Sequence, residues 1–116
     1  MTAPSTPNVH DAATLDPLED WGALEEATGA EMQTSGVIFW EDGSGAETGV
    51  WECTAGPSRW TLDVNEFIQV VKGRMTVTVD GGEPVELAAG DSAVFPKGWT
   101  GTWDITETLR KVYVMF

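Results

Sequence analysis

The chain has one cysteine, one histidine and one tyrosine among its 116 residues. A lone Cys53 permits no internal disulfide, and with no export signal a reducing cytoplasm is the expected compartment. The only histidine, His10, sits in a Pro- and Thr-rich N-terminal stretch with no partner at metal-ligand spacing, so it reads as a solvated tail residue rather than a ligand. Basic residues are also scarce. Six Lys and Arg stand against 19 Asp and Glu, a net charge of −13, and none of the six precedes Arg59, while residues 1–58 hold eleven acids. Nucleic acid and anionic membrane are therefore excluded as partners, because phosphate binding needs a basic surface to release counterions. The acidity reads as solubility. Long apolar runs are missing too, and residues 1–20 (MTAPSTPNVHDAATLDPLED) have neither a basic start nor a hydrophobic stretch. No signal peptide or membrane-spanning segment is expected. The length suits a single domain.

What is present is β-structure. Residues 1–30 are expected to form a flexible or surface-hugging arm ahead of a domain over 31–116, with Trp21 and Leu24 pinning its end and ALEEAT, 23–28, able to make one helical turn before Gly29. From Gly36 onward come short runs rich in β-branched and aromatic residues: Val37 to Trp40, Val50 to Cys53 and Glu66 to Val71. They are parted by EDGSGA, AGPS and KGR. Met75 to Val79 alternates strictly, and DGG at 80–82 is a hairpin turn, because glycine tolerates the positive φ such turns need. GDSAVFPKGWTGTW, 90–103, reads as strand, proline-bearing turn, strand. Many short strands at regular spacing predict an all-β sandwich or barrel.

Gly90, Pro96 and Gly98 reproduce the second motif of the cupins: Gly, five residues, Pro, one, Gly, two, His, three, Asn. Gly101 and Ile105 stand in the last two places. Glu66 and Gly73 keep the end of the first cupin motif, whose two histidine places are taken by Trp60 and Leu62. Over residues 36–116 the chain resembles the small single-domain cupins grouped with (S)-ureidoglycine aminohydrolase and the ethanolamine-utilisation cupin. That resemblance implies an antiparallel jelly-roll barrel of six to eight strands, commonly dimeric, with a pocket between its sheets. The apolar Val37–Trp40 strand is a candidate for pairing across a two-fold axis, so a homodimer is expected.

The family's metal chemistry does not follow. Trp60, Leu62 and Gly101 offer no donor, and Glu66 alone does not make a transition-metal site, so no metal or other cofactor is expected. A period of two puts Ile68 and Val70 on the face of Glu66, Trp99 and Trp103 on that of Gly101, Leu62 on that of Trp60, and Trp51 with Cys53. Two readings of these aromatics stand: they fill a small barrel, or they line a cavity for a small flat or cationic ligand, with Gly101 leaving room for an indole or for the ligand itself. The candidate ligand-binding set is Trp51, Cys53, Trp60, Leu62, Trp99, Gly101 and Trp103. Cys53 has no nearby histidine to activate it and reads as a small buried side chain.

A carboxylate facing an apolar interior needs a partner, which makes Glu66 the most informative position. In the family's last strand, Lys111 and Tyr113 share one face, and Arg110, Val112 and Val114 the other. If the Lys111 face looks inward, Glu66, Lys111 and Tyr113 make a polar cluster able to orient a ligand and move a proton, the candidate catalytic set. A buried ion pair with no chemistry is the alternative. The expected function is metal-independent small-molecule binding. Two rivals are an enzyme acting on a small nitrogenous or carboxylate metabolite, aminohydrolase-like or isomerase-like, and a non-catalytic structural or partner-binding module. A closed core favours the module, an open cleft with Glu66 and Lys111 converging on it favours ligand binding or catalysis.

Overall fold

The computed structural model describes residues 6–116, so the first five residues of the expected arm lie outside the described residues. Among the described residues, eight strands account for all regular structure: β1 Glu19–Ala23, β2 Gln33–Glu41, β3 Glu47–Cys53, β4 Gly56–Thr61, β5 Glu66–Val79, β6 Val85–Ala88, β7 Ser92–Phe95 and β8 Thr100–Met115. All pairings between them are antiparallel, and they run β1-β2-β3-β8-β5-β6, with β4 added to β8 and β7 to β5. The fold is an antiparallel jelly roll of the cupin type. No described helix is long and apolar enough to cross a membrane.

The two long strands organise it. The C-terminal half of β8 lies between β3 and β5, and its N-terminal half between β4 and the far end of β5. Both are thereby shared by two halves of the sheet, which fold over one another around Ile68, Val70, Met75, Trp103, Ile105 and Leu109. The bend on β5 is made where KGR was expected to separate two strands. Glu66, Ile68 and Val70 are buried, then the parity changes and Met75 and Val77 are buried. Register shifts from Val70 to Met75 mark a bulge there. Gly73 is its pivot. Its φ is +81°, and a Cβ would stand 2.1 Å from the Thr108 carbonyl oxygen, so the motif glycine is required both for its backbone angle and for the close approach of β8. A bulge rather than a turn therefore joins the two apolar runs into one strand.

The proline-bearing turn follows the sequence reading. β7 ends at Phe95, the Trp99 amide donates to the Pro96 carbonyl at 2.9 Å, and Gly98 supplies the positive φ, +91°, at the third position. The helical turn expected at 23–28 does not form. The Thr28 amide donates to the Pro57 carbonyl and the Arg59 amide to that of Glu26, so pairing with β4 takes the bonds a helix would have used.

Upstream, β1 lies within the segment read as an arm and pairs with β2. Residues 11–15 form a turn held by Arg110, whose Nη1 donates to the carbonyls of Ala12, Ala13 and Leu15 at 3.0, 3.3 and 2.9 Å. The Arg110 Nε donates to Glu52 at 2.9 Å, so this guanidinium is buried yet well partnered. His10 is exposed and stacks on Phe39 with ring centroids 3.9 Å apart.

Candidate functional site

Three adjacent strands present one inward row each. Antiparallel register sets Glu47, Gly49 and Trp51 of β3 opposite Met115, Tyr113 and Lys111 of β8, and these opposite Glu66, Ile68 and Val70 of β5. The Lys111 face is thus the inner one. Lys111 Nζ donates to Glu66 Oε2 at 2.8 Å, both side chains are over nine-tenths buried, and the ammonium lies 4.5 Å from the ring centroids of both Trp51 and Trp103. One carboxylate and two indole faces therefore share a single desolvated cation.

Tyr113 belongs to a second pair. Its hydroxyl donates to Glu47 Oε2 at 2.7 Å and makes no bond to Glu66, so the expected three-residue cluster resolves into two acid–donor pairs. Burial first, and then the Glu47 carboxylate, raise the phenol well above its ordinary value, so Tyr113 stays protonated as a donor and does not act as a base at neutral pH. Gly49, directly opposite Tyr113, makes room for this: a Cβ there would lie 3.1 Å from the hydroxyl and 2.2 Å from the Val37 carbonyl oxygen.

Both pairs face a cleft of about 170 Å³ lined by Trp21, Glu47, Trp51, Trp60, Glu66, Lys111, Tyr113 and Met115. Of the residues selected from sequence, Glu66, Lys111, Tyr113, Trp51 and Trp60 are brought together here. The other five lie elsewhere. Cys53 and Leu62 are core residues behind the lining. Trp103 is fully buried at 4.5 Å from Trp60, and Trp99 packs edge-on to Phe95 at 5.0 Å. The space left by Gly101 is taken up by protein, since a Cβ would meet the Thr78 carbonyl oxygen at 2.2 Å and the Trp99 indole at 2.8 Å. Trp21 and Glu47 were missed by sequence reasoning. Gly36 in β2 signals a close approach without naming the partner, which is Trp21: a Cβ there would fall 2.4 Å from its ring.

Cys53 is inert chemically. Burial pushes its thiol up to about 11, with the Lys111 charge pulling the other way. The folded value exceeds the ordinary 9.0, so the thiol's contribution to stability is complete below about pH 9 and is lost as pH rises toward 11. Wild type should therefore lose stability over that interval more steeply than Cys53→Ala in urea titrations; parallel curves would show that the thiol is free to ionise in the fold.

A divalent metal, which cupins commonly carry, does not fit. The motif positions Trp60, Leu62 and Gly101 carry no donor atom, the Glu66 carboxylate is taken by an ammonium, and among the described residues no three His, Cys, Asp or Glu converge on a point.

A jelly roll with an aromatic, ion-paired cleft between its sheets is the class that fold and site define. The model of the EutQ-like cupin domain matches residues 41–113, and the chain belongs to that family. Among solved structures it is similar to a putative ethanolamine utilization protein Q from Salmonella typhimurium (TM-score 0.67, 25% identity, 82% of this chain and 76% of that one). A DUF861-family protein of unknown function from Pseudomonas syringae superimposes with a TM-score of 0.79 at 20% identity over 88% of this chain. This chain spans only 45% of that protein's length. A DUF861-family protein from Thermotoga maritima is 33% identical over 58% of this chain and 76% of its own, with a TM-score of 0.56. A search of curated proteins finds no match.

Proposed function

We propose that this cupin binds a small molecule in the cleft without a metal, using the Lys111–Glu66 pair as its polar floor. The carrying observation is that pair itself: two desolvated charges at the base of a cleft that the tryptophans leave open. What sets this cleft apart from the other surface depressions is its lining, where a buried ion pair stands beside three tryptophans. About 150 Å³ of cavity holds a molecule such as benzene, so 170 Å³ suits a ligand of roughly six to ten non-hydrogen atoms. The test is mass spectrometry of the small molecules released when the purified protein is denatured. A compound that copurifies with wild type and is depleted in a Trp60→Ala variant is expected. Equal small-molecule profiles from the two proteins, and elemental analysis finding about one transition metal per chain after dialysis, would each count against the reading.

Assembly as a homodimer is part of the same proposal. β1 covers the outer edge of β2 only as far as Gly36, and beyond it Ile38 and Trp40 are exposed. The net charge of −13 opposes association at low salt. Light scattering should therefore give twice the chain mass at micromolar concentration in physiological salt, and a monomer mass there would refute it.

A further inference from the structure

We propose that the ligand is a compact organic cation carrying N–H donors, of the amidine, guanidine or primary amine class. This rests on the cleft being a binding site, and it follows from which polar atoms the protein leaves unsatisfied. The polar side chains of the cleft already engage one another in part. Lys111 Nζ gives one bond to Glu66 Oε2 and otherwise faces two indole rings at 4.5 Å, and the Tyr113 hydroxyl is committed to Glu47 Oε2. Free carboxylate oxygens remain: Oε1 of Glu66 and Oε1 of Glu47 have no hydrogen-bond partner among the described residues, while the further N–H groups of Lys111 are turned to indole faces. Glu66 is only 6% exposed, so its second oxygen is reached through the cleft alone, where a ligand N–H can replace water.

Charge agrees with this. The carboxylates of Glu47 and Glu66 against the single ammonium of Lys111 leave the cleft with one net negative charge, inside a protein of net charge −13. An incoming carboxylate would stand beside two like charges and would have to compete with Glu66 and both indoles for the one ammonium. An incoming cation meets free carboxylate oxygens at polar points and π-faces on its walls, Trp21, Trp51 and Trp60. Register places the two acids on either side of Met115, one on β3 and one on β5. Across two strand spacings, about 10 Å between backbones, a small ligand can reach both side chains at once. A planar guanidinium or amidinium fits best, because it offers paired N–H groups to a carboxylate and stacks flat on an indole.

The intact protein should be titrated with methylguanidinium, its neutral isostere N-methylurea, and acetate, followed by tryptophan fluorescence and calorimetry. Methylguanidinium is expected to bind at least about tenfold more tightly than methylurea, more weakly as salt rises, and acetate not to compete. Glu47→Gln should reduce methylguanidinium affinity about tenfold while its melting curve stays close to wild type, since glutamine still accepts from Tyr113. Methylurea or acetate binding as well as methylguanidinium would overturn the cation assignment and leave small-molecule binding standing. No response to any of the three would overturn both. An unchanged affinity in a folded Glu47→Gln protein would also sink the assignment.

Discussion

Lys111→Met should lower the melting temperature by more than about 15 °C. The substitution leaves Glu66, 6% exposed, without its ammonium and among apolar neighbours. Removing one member of a buried ion pair costs about 3–5 kcal/mol, chiefly because the other charge stays desolvated, and 1 kcal/mol moves the midpoint of a domain this size by several degrees. The two indoles that face the ammonium lose their cation–π partner in the same step. Glu66→Gln should cost about 3 kcal/mol, since the amide still accepts a hydrogen bond but does not neutralise the charge. The informative variant is Glu66→Leu with Lys111→Met, which removes both charges and keeps the volume. It should recover most of the loss of Lys111→Met, because well-packed apolar replacements of buried pairs are often neutral. Thermal melts of Lys111→Met, Glu66→Leu and the double variant settle the matter, and additivity would mean that the two groups do not act as a pair. A double variant that folds well yet no longer takes up ligand would separate the pair's role in binding from its role in folding.

Restoring the missing motif histidine at Gly101 should unfold the domain rather than rebuild a metal centre. Gly101 lies between Trp60 on β4 and Val79 on β5, and any Cβ there would fall 2.2 Å from the Thr78 carbonyl oxygen and 2.9 Å from the Val79 Cα. These are backbone atoms of a paired strand, which do not rotate aside as a side chain would. Overpacking of a tight core costs about 1–3 kcal/mol even when side chains can shift, so Gly101→Ala is expected at or above the upper end and Gly101→His well beyond it. Urea melts of Gly101→Ala and soluble expression of Gly101→His provide the measurement. A Gly101→His protein of wild-type stability would refute the packing argument, and zinc binding by it would reopen the metal reading.

These two sites also explain why the aromatics are where they are. Trp60 and Trp103 pack with ring centroids 4.5 Å apart at a tilt of 31°, and Trp51 meets both edge-on at 6.4 Å. Where the motif has imidazoles, this chain has a packed indole cluster and an internal ammonium, with Glu66 as the counter-charge. One group in the cluster is left over. Among the described residues, Trp103 Nε1 is the buried side-chain polar atom with no hydrogen-bond partner.

What the sequence determined by itself is local. Alternation along a strand is set by backbone geometry, so the inward face shared by Glu66, Ile68 and Val70, and that shared by Gly101 and Trp103, were readable from residue types alone. The same holds for the turn at Pro96–Trp99 and the hairpin at 80–82, where the residue chemistry dictates the backbone. The glycine and proline frame of the second motif therefore sufficed to place the chain among the cupins. Which face of Arg110–Val114 turns inward was not readable, because each face begins with a cation. Only the structure decided it, by placing β3 and β5 on either side of Lys111 and folding residues 11–15 over Arg110 to satisfy that charge with carbonyls. The partner of Tyr113 was equally out of reach: Glu47 lies 66 residues away, and the two meet only through the register of β3 on β8. Trp21 enters the cleft from a segment whose composition reads as an arm, through a gap made by Gly36 on another strand. Strand neighbours and their register are non-local, fixed by how the whole sheet closes on its core, and the cleft is made of those choices.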